Sequence, residues 1–426
     1  MIGVDLPERF GRNAGACDLE ELARLIDTAG GVVTGEVRQK RERPSASTFI
    51  GKGKVEELVA VVTGTDATLV VCDNDLSPAQ GRNLEKALNP DDDLDAVGRV
   101  SVIDRTELIL DIFANHAQTR QARLQVELAQ LQYMLPRLRK LWSHLERQAG
   151  GIGTRGPGET QLETDQRIIG QRLARLKREL ADIAADRTTQ TKRRGRQYKV
   201  SLVGYTNAGK STLMNAITGA DVLVEDQLFA TLDATTRRVD VDERRRFLLS
   251  DTVGFIRRLP HNLVESFRAT LQEVAEADLL LHVVDASSDD PDHQIASVNT
   301  VLAEIVPEER DTIMVYNKMD RLSPDAAEAF RNLNGRRDES ALFVSALDEN
   351  GPEEVRSAVV ARLLGREQVV RLQVPLTRMD LVAVFHRTGS VLEEEHDVDY
   401  CRLAVRIREQ ELKRLLGRET DIVLLP

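Results

Sequence analysis

The chain has 426 residues, a formal net charge of −11, and 41% hydrophobic and 30% charged residues. That length is too great for one hydrophobic core and the composition is that of a globular chain, so two to four domains are expected, which the patterns below make a multidomain α/β protein. No stretch approaches the roughly 18 apolar residues of a membrane span, which excludes a membrane partner of that kind.

Asp5, Glu8 and Arg9 stand where a secretion signal needs an apolar run. Cys17, Cys72 and Cys401 are isolated, which excludes a disulfide framework and a zinc knuckle and fits a reducing cytoplasm. The charge is unevenly spread: −8 over residues 1–111, +10 over 112–199 and −13 over 200–426. One basic segment inside an acidic protein is the footprint of a nucleic-acid contact, or of a solvated helical surface; charge alone leaves both open.

Residues 1–111 alternate in pattern. Leu19–Ala29 reads as helix, Gly31–Lys40 as extended, Val55–Val62 as helix, Thr68–Asp73 as extended, Ala79–Leu88 as helix and Val100–Asp104 as extended. This predicts a small α/β domain with a parallel sheet.

Residues 112–196 follow a heptad instead. Leu124, Leu131, Leu138 and Leu145 recur every seven residues with Leu128 and Leu135 between them. Leu162, Ile169, Leu176 and Ile183 repeat the period with Leu173 and Leu180. Two such helices predict an antiparallel hairpin, a short coiled coil, with Pro136 kinking its first arm. The break between them, residues 149–160, contains Gly150, Gly151, Gly153, Thr154, Arg155 and Gly156. Glycines bare the backbone for close approach, and a loop this long at a hairpin tip is a candidate contact. Arg187–Gln197 reads as a polar linker.

From 197 to 366 regular alternation returns. Val200-Ser201-Leu202-Val203 reads as a buried strand, followed at once by Gly204-Tyr205-Thr206-Asn207-Ala208-Gly209-Lys210-Ser211 and a helix from Thr212. This is the phosphate loop GxxxxGK(S/T) in its strand–loop–helix setting. Its amides and helix N-terminus attract phosphate oxygens, Lys210 reaches the β- and γ-phosphates, and the Ser211 hydroxyl ligates Mg2+. Phe229-Ala230-Thr231-Leu232-Asp233 is a candidate switch, whose Thr231 adds a second hydroxyl to the metal. Asp251-Thr252-Val253-Gly254 is a DxxG element: Asp251 holds the metal through water and the Gly254 amide meets the γ-phosphate. Lys210, Thr231 and Gly254 are the catalytic candidates.

Asn317-Lys318-Met319-Asp320 follows the strand Thr312–Tyr316. A carboxylate there accepts two hydrogen bonds from the guanine edge, which adenine cannot supply, so GTP and GDP are the expected ligands. Ser345-Ala346-Leu347 offers a backbone amide to the guanine oxygen. All five elements sit at strand ends, where open, doubly wound sheets bind ligands.

After DxxG stands Phe255, where Ras-like enzymes place the glutamine that orients water, so slow intrinsic hydrolysis and outside help are expected. Asn207 either ligates K+ between the phosphates or braces the loop. Residues 367–426 alternate short strands (Val370–Val374, Val391–Glu395, Leu403–Arg408) with short helices (Arg378–His386, Glu409–Leu416), a small α+β domain.

The phosphate loop, FATLD, DTVGF and NKMD, the loop at 150–161, Phe49-Ile50-Gly51-Lys52-Gly53-Lys54 and the run Arg105–Leu135 together resemble the HflX-type GTPases over roughly residues 30–370. The resemblance implies a factor of the cytoplasm, partly ribosome-associated and monomeric off the ribosome. Its hairpin loop would touch rRNA of the large subunit, and it would split or recycle stalled or idle ribosomes under stress. Two other readings remain on the residues: a signalling switch with a protein partner and no RNA, and a second, ATP-binding activity at Gly51–Lys54.

Overall fold

The computed structural model describes residues 1–7, 17–90, 99–148, 157–193, 197–219, 228–229, 231–232, 234–241, 246–258, 268–306, 310–365, 367–419 and 421–425. Its N-terminal part runs β1 (Ile2–Asp5), α1 (Leu19–Thr28), β2 (Val37–Lys40), α2 (Lys52–Thr65), β3 (Leu69–Cys72), α3 (Pro78–Leu88), β4 (Ser101–Asp104) and α4 (Arg105–His116). The four strands form a parallel sheet in the order β2-β1-β3-β4. Sequence patterning misses β1, because four residues interrupted by Gly3 carry no measurable period. It also over-extends β2, of which only the last four residues pair.

Helix starts follow side-chain capping. Asp18 accepts from the Glu21 amide at α1, Ser77 and Gln80 form a reciprocal capping box at α3 with Pro78 in the first turn, and Asp104 accepts from the Glu107 amide at α4. Helix α4 crosses the boundary expected at 111.

Helices α5 (Arg120–Gln148) and α6 (Pro157–Arg193) form the hairpin. Leu124, Leu128 and Leu176 are buried in its seam, with Leu131, Leu173, Leu180 and Ile183 packed against them. The Arg172 guanidinium clamps Glu127 across it through two bonds of 2.6 and 2.8 Å. Pro136 lies inside α5, and the helix continues through it. Two expectations change. Pro157–Thr160 already belongs to α6, since proline suits a first helical turn, and helix also replaces the expected linker as far as Arg193, there being no glycine or proline before Gly195. Residues 149–156, including Gly150, Gly151, Gly153, Thr154, Arg155 and Gly156, lie outside the described residues, as do Ala230 and Asp233.

A six-stranded sheet follows, in the order β10-β9-β8-β5-β7-β6. Its strands are β5 (Tyr198–Gly204), β6 (Thr235–Asp240), β7 (Arg246–Asp251), β8 (Leu279–Asp285), β9 (Thr312–Asn317) and β10 (Leu342–Phe343). Only the edge strand β6 runs antiparallel. Between them lie α7 (Lys210–Thr218), α8 (Arg268–Ala275), α9 (Pro291–Ile305) and α10 (Pro324–Arg337), and α11 (Asn350–Leu364) follows β10. The central strands are near-continuous apolar runs, as parallel strands covered on both faces must be.

The last part is an antiparallel sheet in the order β12-β13-β11-β14, from β11 (Glu367–Pro375), β12 (Ser390–His396), β13 (Tyr400–Arg408) and β14 (Val423–Leu425). Helices α12 (Met379–Thr388) and α13 (Glu409–Leu416) complete it, and Phe385 and Leu412 of these helices join its core. No helix among the described residues is long and apolar enough to cross a membrane.

Candidate nucleotide site

The strand order places the ends of β5, β7, β8 and β9 side by side, so the loops that follow them converge. Gly204 closes β5 with φ 152°, and a Cβ there would lie 2.1 Å from the Val283 carbonyl oxygen. Only glycine admits that approach. Asn207 holds a left-handed φ of 59°, and α7 begins at Lys210.

Lys210 is buried, and its ammonium donates to the carbonyl oxygens of Gly204 (3.1 Å) and Tyr205 (2.8 Å). Burial pulls its pKa down to about 8, against the pull of Asp251. The loop after β7 folds back onto this one. Thr206 donates its amide to the Phe255 carbonyl at 2.7 Å, and Phe255 donates to the Gly204 carbonyl at 3.1 Å. A Cβ at Gly254 would lie 2.8 Å from Thr206 Cα and 3.1 Å from Lys210 Nζ, so the DxxG glycine rests on the phosphate loop.

Three oxygens gather beside this junction. The Ser211 hydroxyl lies 2.5 Å from Asp251 Oδ2 and 2.8 Å from Thr231 Oγ1, and Thr231 Oγ1 lies 3.3 Å from the same carboxylate oxygen. Asp251 is buried, which raises its pKa against Lys210, Ser211 and Thr231, and its Oδ1 has no hydrogen-bond partner. A buried carboxylate oxygen without a partner, flanked by two hydroxyls, is a hard-oxygen donor set of the kind that suits Mg2+.

At the far side Asn317 is buried as a brace, donating Nδ2 to the Ala208 carbonyl and accepting from the Ala346 amide, both at 2.9 Å. Lys318 has φ 61°, and its ammonium meets Asp285 Oδ2 at 2.8 Å. Sequence reasoning misses Asp285; its signal is the acidic end of the apolar strand β8. Met319 and Ser345 are buried, Asp320 is exposed, and Leu347 is 77% exposed, so this rim of the site opens to solvent. Thr212 follows Ser211 in the first turn of α7, and Thr252 is buried, its hydroxyl bonded to the Leu202 carbonyl at 2.7 Å. Val253, Phe229 and Leu232 are buried in the core shared with the N-terminal part.

That shared core makes the site part of a larger unit. Phe229 meets Phe113 of α4 edge-on, with centroids 4.6 Å apart, and Phe255 is buried beside it. Above this apolar layer the Tyr205 hydroxyl donates to Glu21 and accepts from the Arg257 amide at 2.7 Å. Arg105 donates to Glu21 and, at 2.8 Å, to Asp73, whose other oxygen takes Arg258 at 3.0 Å. Burial alone would depress the Arg105 guanidinium, but Glu21 and Asp73 outweigh it and hold its pKa above the ordinary value. Sequence reasoning misses this junction, because single acidic and basic residues carry no spacing signal.

The segment Gly51–Lys54 opens α2. The Gly51 amide donates to Gln39 Oε1 at 2.9 Å, and Lys54 pairs with Glu57 at 2.7 Å.

Three family models match in sequence: GTP-binding GTPase N-terminal over residues 16–114, GTP-binding GTPase Middle Region over 116–194, and 50S ribosome-binding GTPase over 199–318. The GTPase HflX of Flavobacterium psychrophilum is 48% identical over 359 residues, covering 80% of this chain and 84% of that relative. The GTPase HflX of Escherichia coli is 42% identical over 414 residues, covering 95% and 93%. Among solved structures, a GTP-binding protein from the archaeon Sulfolobus solfataricus in complex with GDP is 22% identical, with a TM-score of 0.42 and coverage of 84% of this chain and 97% of that one.

Proposed function

The chain belongs to the HflX family of GTPases and hydrolyses GTP, and on that premise we propose that it does so on the large ribosomal subunit, to split or recycle stalled or idle ribosomes. The observation that carries the reading is the hairpin. The segment with a net charge of +10 is the one built as two long helices whose connecting residues include Gly150–Gly156, and the neighbouring domain matches the model described as ribosome-binding. Backbone exposed by glycine and flanked by arginine suits rRNA, where phosphates and close approach govern affinity.

Within the nucleotide site, Lys210 offsets the charge of the β- and γ-phosphates, and the amides of Tyr205 to Thr212 cradle them. Ser211 and Thr231 would hold Mg2+ directly and Asp251 through water; when bound, the ion neutralises charge on the phosphate oxygens. Gly254 offers its amide to the γ-phosphate, Asp320 reads the guanine edge, and Ala346 and Leu347 offer amides to its oxygen. The buried ring of Phe255 can neither polarise nor orient water, so hydrolysis relies on a group brought by the ribosome or on K+ held by Asn207. The protein works in the cytoplasm, partly on ribosomes, and is monomeric when off them.

Deleting Gly150–Thr160 tests the reading. Intrinsic GTP hydrolysis should stay within about twofold, while stimulation by large subunits disappears, and wild-type co-sedimentation should fall by on the order of a thousandfold in affinity between low and physiological salt. Full stimulation of the deletion variant would rule out the hairpin as the ribosome contact.

A further inference from the structure

The C-terminal domain carries a cluster that GTP chemistry does not use. On β12, Glu394 and His396 alternate onto the same face, and His396 stands directly opposite Cys401 of β13. A bulge between Val391 and Glu393 sets this register. Without the extra residue, Glu393 and Glu395 would face the helices; with it, Glu394 and His396 join Cys401 and Leu403 on the face that α12 covers. A one-residue shift exchanges the two faces of a strand, and bulges recur where a sheet must re-aim a side chain.

The result brings a carboxylate oxygen, an imidazole nitrogen and a thiol sulfur within 4.8 Å of one another. His396 Nε2 lies 3.1 Å from Glu394 Oε1, and on the other side His386 Nε2 of α12 lies 2.8 Å from Glu394 Oε2. Cys401 is fully buried, whereas the two histidine side chains are about half exposed (50% and 52%), so the donors line the mouth of the sheet edge with the sulfur at its floor.

We propose that Glu394, His396 and Cys401 bind a divalent transition metal of the zinc class, with His386 orienting the Glu394 carboxylate from behind. Tetrahedral zinc bound by sulfur, nitrogen and oxygen needs neighbouring donors about 3.3–3.8 Å apart. The exposed histidine and glutamate can close the remaining distance by side-chain rotation, while the buried sulfur stays fixed. A mixed sulfur–nitrogen–oxygen set selects zinc or cobalt over Mg2+, which prefers oxygen alone. The His386 contact is the kind of outer partner that fixes a ligand's orientation. Three protein donors leave a fourth position for water. Paired-cysteine spacing cannot reveal such a site, because each of its donors is a single residue on a strand.

The test uses the full chain, stripped with a chelator and kept in excess Mg2+. Titration with zinc against a chromophoric competitor should give one tight equivalent, and cobalt should give the near-ultraviolet sulfur-to-metal charge-transfer band. That band should vanish in Cys401→Ser and persist in Cys17→Ser and Cys72→Ser. Zinc affinity should fall at least tenfold in His396→Gln and Glu394→Gln, and on the order of tenfold in His386→Ala, as outer partners do. GTP turnover of these variants should not change. Should Cys401→Ser fail to fold, the exposed Glu394 and His396 variants decide. Absence of a charge-transfer band in the unaltered protein, or unchanged zinc affinity in both His396→Gln and Glu394→Gln, would overturn the assignment.

Discussion

Two buried charged clusters lie on either side of Tyr205, and they are finished to different degrees. In the junction of Glu21, Asp73, Arg105 and Arg258, all four carboxylate oxygens have a hydrogen-bonding partner. In the group of Lys210, Ser211, Thr231 and Asp251, one carboxylate oxygen has none, and the lysine is turned onto backbone carbonyls. The first leaves no carboxylate oxygen bare, its unpartnered atom being the Arg105 Nε, and it ties the N-terminal part to the nucleotide-site part. The second sets a bare carboxylate oxygen beside two hydroxyls, a donor set that suits a hard cation.

Breaking each cluster should therefore read out differently. Lys210→Ala should lower single-turnover GTP hydrolysis on the order of a thousandfold, with unfolding little changed; phosphate release and urea titration measure the two, and near-normal turnover would end the parallel. Arg105→Ala does the converse. It removes the partner of one oxygen on each of two buried carboxylates, leaving Glu21 with Tyr205 and Asp73 with Arg258, and should cost about 3 kcal/mol of stability. Its GTP affinity at low temperature should stay within about threefold. Loss of GTP binding without loss of stability would make the junction part of the site.

On the guanine rim, Asp320→Asn should move preference from GTP toward xanthosine triphosphate by about a hundredfold, since an amide donates where the carboxylate accepted. Competition binding measures it, and an unchanged preference would remove Asp320 as the base reader. The smallest effect belongs to Asn207. Ribosome-stimulated hydrolysis should run a few-fold faster in potassium than in sodium at equal ionic strength, because a bound cation supplies the charge of an arginine finger. Asn207→Ala should abolish the difference. Equal rates in the two salts would leave Asn207 as a brace of its loop.

Local patterns made much of this legible before any fold was known. The phosphate loop, DxxG and NKxD are short because consecutive backbone amides and one or two side chains must meet one ligand, so their residues are neighbours in the chain as well as in space. The heptad seam through Leu124, Leu128 and Leu176 was readable for the same reason, a periodicity confined to each helix. The short β1 was not, nor was the continuation of α6 through residues 187–193, where composition suggests a linker but nothing stops a helix.

Sequence by itself thus determined the class of the nucleotide site, the alternation that makes the sheets and the place of the basic hairpin. Tertiary structure alone decided what the generic residues do. Arg105 stands 84 positions from Glu21 and 32 from Asp73, and Tyr205 reaches Glu21 across 184. A single bulge decides which of Glu393, Glu394, Glu395 and His396 look inward toward Cys401. Such pairings depend on register and domain docking, which bury any arginine or glutamate that geometry brings together, and neither leaves a periodic trace in the chain.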